Sequence, residues 1–160
     1  MSDWVLILGG STGHGGATAK RLAQDGYGII AFHFDRGEVK QLAEELKTEI
    51  NEITGGRCHY FNTNAAAVET MDEYIPRISE ITGGNPVKLL LHSIAFGTTT
   101  NFFGDKPVTQ KQMDMTVHVM GNSLLYWTQK LYDAKLLGQG SRVLGLTSEG
   151  NYVAMEGYGP

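Results

Sequence analysis

The sequence predicts an open α/β domain: a five-stranded parallel sheet in the order 3-2-1-4-5 with helices on both faces. Three observations carry this. Apolar runs of strand length alternate with helix-periodic segments along the whole chain. The first run, Val5-Leu6-Ile7-Leu8, breaks into Gly9-Gly10-Ser11-Thr12-Gly13-His14-Gly15-Gly16 and only then resumes with helical character. The fourth run, residues 86–93, is nearly continuous in apolar side chains, as a strand covered on both faces requires.

The elements follow in order. After the glycine turn a helix is expected over 15–24, stopped by Asp25-Gly26, and the second strand over 28–34. Asp35-Arg36-Gly37 leads into a helix over 38–53, with Val39, Leu42, Leu46 and Ile50 on one face and Gly55-Gly56 beyond its end. The third strand is expected at 58–61 and a helix at 68–81, interrupted or bent by Pro76. A surface loop over 98–107 precedes one long helix over 109–137. The fifth strand spans 142–147 and a glycine- and tyrosine-rich loop 148–160. Parallel strands joined by right-handed crossovers put the working edge at the strands' carboxyl ends, where strand order reverses. This is a Rossmann-type doubly wound sheet, read as a single domain over 1–160.

With 160 residues, 41% apolar and 19% charged, the chain is long enough for one domain with a real core. A net charge of −4 supplies no attraction for nucleic acid or an anionic membrane. Cys58 is the single cysteine, so neither an intrachain disulfide nor a thiolate metal cluster is expected, and the five histidines lack metal-ligand spacing. No apolar run is long enough to span a bilayer and no signal-like leader is seen, so a cytoplasmic location is expected.

Gly9, Gly13 and Gly15 are spaced G-x3-G-x-G. A strand that turns sharply into a helix beside a pyrophosphate needs residues without Cβ, and the helix's first N–H groups then hold the phosphate. Such turns also join strands to helices without binding anything. Placement directly after the first strand favours a dinucleotide site built from Gly9, Ser11, Thr12, Gly13, His14 and Gly15. At the end of the second strand, Arg36 suits the 2′-phosphate of NADP, whereas Asp35 suits the ribose hydroxyl of NAD; we expect NADP, with NAD as the alternative. Asn62 and Thr63, leaving the third strand, are expected against the adenine.

Leu8-Gly9-Gly10-Ser11-Thr12-Gly13-His14-Gly15 resembles the turn of the short-chain dehydrogenase/reductase superfamily. Leu91-His92-Ser93-Ile94-Ala95-Phe96 is similar to the segment after the fourth strand in its enoyl-acyl-carrier-protein reductase branch. So is His118, where most of the superfamily has asparagine. The resemblance runs along the whole chain. It implies that Ser93, Ile94 and Ala95 lie beside the cofactor, and that Ser148 and Tyr158 are the catalytic pair. It implies an NAD(P)H-dependent reductase that adds hydride to the β-carbon of a small or carrier-bound enoyl thioester and works as a homo-oligomer. Two other readings stand beside it: a nucleotide-binding domain without catalysis or completed by another polypeptide, and a carbonyl reductase of the same superfamily.

The chain departs from the family where a lysine should follow the tyrosine. Tyr158 is followed by Gly159-Pro160, and Tyr152 has Glu156 at the Y-x3-K position. A phenol with an ordinary pKa of ~10 needs a nearby cation to give up its proton readily at neutral pH. The resemblance therefore implies the amino-terminal part of a longer reductase, without its usual C-terminal helix and strands. Ser148, just past what should be a buried strand, also has the simpler role of satisfying backbone groups. His118, among Met115, Val119 and Met120, reads as a hydrogen-bonded core histidine rather than a catalyst. Finally, Leu124, Leu125, Tyr126, Trp127, Leu131, Tyr132, Leu136 and Leu137 exceed one buried stripe, so some should stand uncovered.

Overall fold

The apolar runs and helical segments form β1 (Trp4–Leu8), α1 (Gly13–Gln24), β2 (Gly28–His33), α2 (Gly37–Thr54), β3 (Cys58–Asn62), α3 (Val68–Thr82) and β4 (Leu89–His92). After these come α4 (Gln110–Val117), a π-helical turn (His118–Asn122), α5 (Ser123–Asp133), β5 (Arg142–Gly145) and a 3₁₀ turn (Glu149–Asn151). The structure is a computed structural model that describes residues 3–153, 155–158 and 160. The strands lie in the order β3-β2-β1-β4-β5, every neighbouring pair parallel, as the alternation predicts.

Strand alternation divides the core in two. Trp4, Leu6, Leu8, Ile30 and Phe32 face α3 and α5, where they meet Met71, Ile78, Trp127 and Leu131. Val5, Ile7, Ile29 and Ala31 face α1 and α2, where they meet Ala19, Ala23 and Ile50. Both faces of β1 and β2 are buried along their whole length, which is why those segments carry almost no polar residue.

Several boundaries move by a residue or two, as helix and strand ends do. Larger differences have physical causes. Pro76 lies inside α3 without interrupting it. The expected apolar stripe of α2 is only half used: Ile50 is buried and Leu46 half-buried, whereas Val39 and Leu42 are exposed.

The long helix expected over 109–137 is three segments and ends at Asp133. Its start is a capping box, with Thr109 and Gln112 each bonding the other's backbone. Its end is a tight C-terminal turn in which Leu136 N–H bonds Leu131 C=O and Lys135 takes φ 60°, the place usually given to glycine. The buried Leu136 side chain holds this turn against the core.

β5 corrects the expectation of a buried strand. All four of its residues are exposed, Leu144 by 51%, because little among the described residues packs on the faces of this edge strand, whereas β3, at the other edge, has α2 against it and buries Cys58 and Tyr60. On α5 itself Trp127 and Leu131 are buried while Leu125 and Tyr132 stand out at 54% and 71%. The surplus of apolar groups is thus left uncovered, as anticipated. Of the loop expected over 148–160, Ala154 and Gly159 lie outside the described residues. Among the described residues, no helix is long and apolar enough to cross a membrane.

Candidate functional site

The glycine turn is built by close backbone approach. The N–H groups of Gly9 and Gly10 both donate to Phe32 C=O, at 2.9 and 3.0 Å, which bends the chain off β1 over the end of β2. Gly9 has φ +88°, and a Cβ there would lie 2.5 Å from the Ser93 carbonyl oxygen. A Cβ on Gly15 would lie 1.9 Å from the Gly9 carbonyl oxygen and 3.1 Å from Ser93 Oγ. The first turn of α1 therefore packs directly on the turn and on the segment leaving β4. Gly13 differs: φ is +55° and a Cβ would meet nothing within 4 Å, so its missing side chain opens space rather than avoiding a wall.

That open space lies at a helix N-terminus. Thr12 is the N-cap of α1, its side chain makes no capping bond, and no acidic residue stands in the first turn. The N–H groups of Gly13, His14 and Gly15 are thus without intrahelical partners, at the positive end of the helix dipole. Thr12 and His14 are exposed, whereas Ser11 is buried. Ser93 N–H donates to Leu8 C=O at 2.7 Å, which places Ser93 beside the turn. Ile94 packs on the core, and Ala95 is exposed. A pyrophosphate fits this cradle: it is lined by amides, free of carboxylates, and open where Gly13 lacks a Cβ.

The end of β2 has a structure of its own. His33, buried, donates from Nδ1 to Asp35 Oδ2 at 2.9 Å. Asp35 N–H donates to Asn62 Oδ1 at 3.1 Å, and Asn62 Nδ2 donates back to Asp35 C=O at 3.0 Å. Asn62, expected against the adenine, thus spends its amide on fastening the ends of β2 and β3 together. Thr63 shares a 3.2 Å hydrogen bond with Thr70 of α3. Arg36 is exposed, its guanidinium 6.0 Å from the Phe34 ring.

On the other side of β1, His92 ends β4 in the interior. Its Nε2 donates to Ser123 Oγ at 2.8 Å, and Ser123 passes its own hydrogen to Val119 C=O at 2.8 Å. Burial holds the His92 pKa below the ordinary histidine value, so the neutral ring serves as a fixed donor. This chain ties β4 to the π-helical turn, where His118 Nε2 donates to Ala66 C=O at 2.9 Å. A π turn widens the helix by one residue and is common at functional sites. His118 is hydrogen-bonded, as the sequence suggests, but half-buried rather than in the core, and it anchors the turn to the segment that leaves β3.

Ser148 follows β5 by three residues, at the same edge from which Ser93 leaves β4. Tyr158 is 60% exposed, and Gly157 N–H beside it donates to Asn101 Oδ1 in the loop after β4. No hydrogen bond joins Ser148 to Tyr158 among the described residues. The turn residues and Ser93 are brought together; the two candidate catalytic groups are not hydrogen-bonded to each other.

Sequence reasoning missed Tyr60. Its buried hydroxyl donates to the Gly10 carbonyl at 3.1 Å, reaching the glycine turn from β3 across β2. Only the strand register reveals this, since Tyr60 and Gly10 are 50 residues apart. Burial also pushes the Cys58 thiol up to about 11, which leaves it protonated and unreactive.

An open parallel sheet with an amide-lined, glycine-built cradle at the carboxyl end of its first strand defines a Rossmann-type fold. The short chain dehydrogenase family profile matches residues 3–159. The chain belongs to that family, whose members are oxidoreductases that typically bind NAD(P). Solved structures agree on the fold. A short-chain dehydrogenase/reductase from Serratia marcescens superposes with a TM-score of 0.78 at 18% identity over 95% of this chain. The oxidoreductase yciK from E. coli gives 0.77 at 18% over 98%. A short chain dehydrogenase from Salmonella enterica serovar Typhi gives 0.79 at 16% over 99%. The chain spans 58%, 62% and 63% of the lengths of these three. No curated protein sequence matches it.

Proposed function

We propose that this chain is the cofactor-binding part of an NADP-preferring reductase that adds hydride to the β-carbon of an enoyl thioester. The observation that carries the reading is the junction of Gly9, Gly15 and Ser93, so close that a Cβ on Gly9 would lie 2.5 Å from the Ser93 carbonyl oxygen and one on Gly15 would lie 3.1 Å from Ser93 Oγ. It sets Ser93-Ile94-Ala95-Phe96, the segment similar to the enoyl reductase branch, directly beside the phosphate cradle. His118 on its π turn supports the same branch.

When bound, the nicotinamide supplies the hydride. The chain's own residues do the rest. The amides of the α1 first turn hold the pyrophosphate. Arg36 reaches the 2′-phosphate: it is exposed, while the Asp35 carboxylate beside it is already engaged by His33. Ser148 holds the thioester carbonyl and Tyr158 delivers a proton to the developing enolate oxygen. The uncovered apolar groups of α5 and β5 suit self-association, and a homo-oligomer belongs to this reading.

Two measurements test it. With crotonyl thioester, the intact protein is expected to oxidise NADPH faster than NADH. Turnover of an acetoacetyl thioester or a simple ketone instead would assign carbonyl reduction. Tight cofactor binding without turnover of any of them would leave a binding domain. Arg36→Ala is expected to weaken NADPH by about tenfold or more, the worth of one charge-assisted contact, and to leave NADH nearly unchanged. Calorimetric titration reads both; equal losses would remove Arg36 from the 2′-phosphate.

A further inference from the structure

We propose that Tyr60 is a positioning residue for cofactor binding: its hydroxyl sets the orientation of the Gly10–Ser11 peptide and thereby aims the Ser11 N–H, at the entrance to the α1 amides. The assignment rests on the reading that a dinucleotide occupies that turn.

The geometry is specific. Gly10 is held at both ends, its N–H on Phe32 C=O at 3.0 Å and its C=O on Tyr60 Oη at 3.1 Å. No cis peptide occurs among the described residues, so the Gly10 carbonyl and the Ser11 N–H lie in one peptide plane and point in opposite directions. Drawing the carbonyl toward β3 therefore turns the Ser11 N–H away from it. Room for the tyrosine is built in. Ala31 pairs with Tyr60 in the β2–β3 register, and a Cβ on Gly10 would lie 2.8 Å from the Ala31 methyl. Small residues at both places let the ring pass across β2 to the turn.

The hydroxyl is what needs explaining. Phenylalanine would fill the same apolar volume, and a buried hydroxyl is costly unless it is bonded. Among the described residues it has one partner, the carbonyl of the turn. Burial, with Cys58 adding to it, pushes the phenol pKa well above the ordinary tyrosine value, so it remains a donor at every physiological pH. The same ring lies 6.0 Å from the His33 ring, whose Nδ1 holds Asp35. One buried side chain thus bonds the glycine turn and lies beside the histidine that holds Asp35.

The test is Tyr60→Phe in the intact protein. At a temperature where both proteins are fully folded, the Kd for NADPH and for ADP-ribose is expected to rise about tenfold, equivalent to about 1.4 kcal/mol. Cofactor-induced stabilisation in thermal melts is expected to shrink in step. A hydroxyl with a structural role alone would lower the melting temperature with and without cofactor equally and leave both Kd values within about twofold, which would overturn the assignment. If the wild type itself binds neither NADPH, NADH nor ADP-ribose, the reading beneath the assignment fails with it. Should Tyr60→Phe not fold, proton NMR of the unaltered protein decides: the buried Tyr60 hydroxyl proton is expected in slow exchange and to shift on adding ADP-ribose. A resonance that does not move overturns the proposal.

Discussion

Gly15→Ala is expected to eliminate cofactor binding and to destabilise the folded chain by about 3 kcal/mol, the upper end of what overpacking costs. The added methyl would sit 1.9 Å from the Gly9 carbonyl oxygen and 2.9 Å from the Gly9 carbonyl carbon, both backbone atoms. Gly9 cannot yield easily, because its N–H is bonded to Phe32 and its own Cβ position is closed by Ser93. The helix would have to leave the turn, taking the amides of Gly13 and His14 with it. Gly13→Val provides the contrast. Its Cβ would meet nothing within 4 Å, so the cost in the free protein is the strain of a branched residue at φ +55°, about 1–2 kcal/mol. Yet that side chain enters the space a phosphate needs, so binding is expected to vanish while the sheet survives. Denaturant unfolding together with calorimetric titration of NADPH separates the two variants. Wild-type affinity in Gly13→Val would remove the phosphate from the turn.

Trp127→Ala is expected to cost about 3–5 kcal/mol, a large share of the roughly 5–15 kcal/mol that holds an ordinary domain folded. The indole is wholly buried between α5 and the sheet, its ring 5.1 Å from that of Phe32. It also donates from Nε1 to Ala65 C=O at 2.7 Å, fastening α5 to the segment after β3. Trp127→Phe should cost less, about 1–3 kcal/mol, since much of the volume stays while the Ala65 carbonyl loses its partner. The loss should be felt at the site too, because Phe32 supplies the carbonyl that holds Gly9 and Gly10. Leu125→Ala, on the same helix but exposed, is expected to change stability by no more than about 0.5 kcal/mol. Urea unfolding of the three variants tests the order. A Leu125 effect equal to that of Trp127 would mean the exposed face of α5 is covered in solution.

The alternation of elements and the place of the glycine turn are legible in the chain before it folds, because both rest on local physics; the sheet order follows from them only through the rules for connecting parallel strands. An apolar run long enough for a buried strand, a glycine where φ is positive, and a helix that restarts after the turn are all written in neighbouring residues. Gly9, Gly13 and Gly15 stand in the sequence as a spacing; the structure gives each a reason. Gly9 and Gly15 avoid backbone, while Gly13 leaves room. The segment over 109–137 is legible as helix, but not its division, since a π turn depends on what its side chains meet. Here Ser123 bonds His92 and His118 bonds Ala66.

Which groups hold the site together is a different matter, settled by the assembled sheet. Tyr60 reaches Gly10, His33 takes Asp35, and Asn62 closes on the Asp35 backbone. The contacts across strands follow from register, and register is set by the packing of two whole faces of the sheet. Exposure of β5 is likewise invisible in its composition. Val143-Leu144 reads as buried strand, but burial belongs to whatever packs on a strand, and at the sheet's edge these side chains stay exposed. Local propensity settles what an element is; what it touches depends on every strand and helix laid against it.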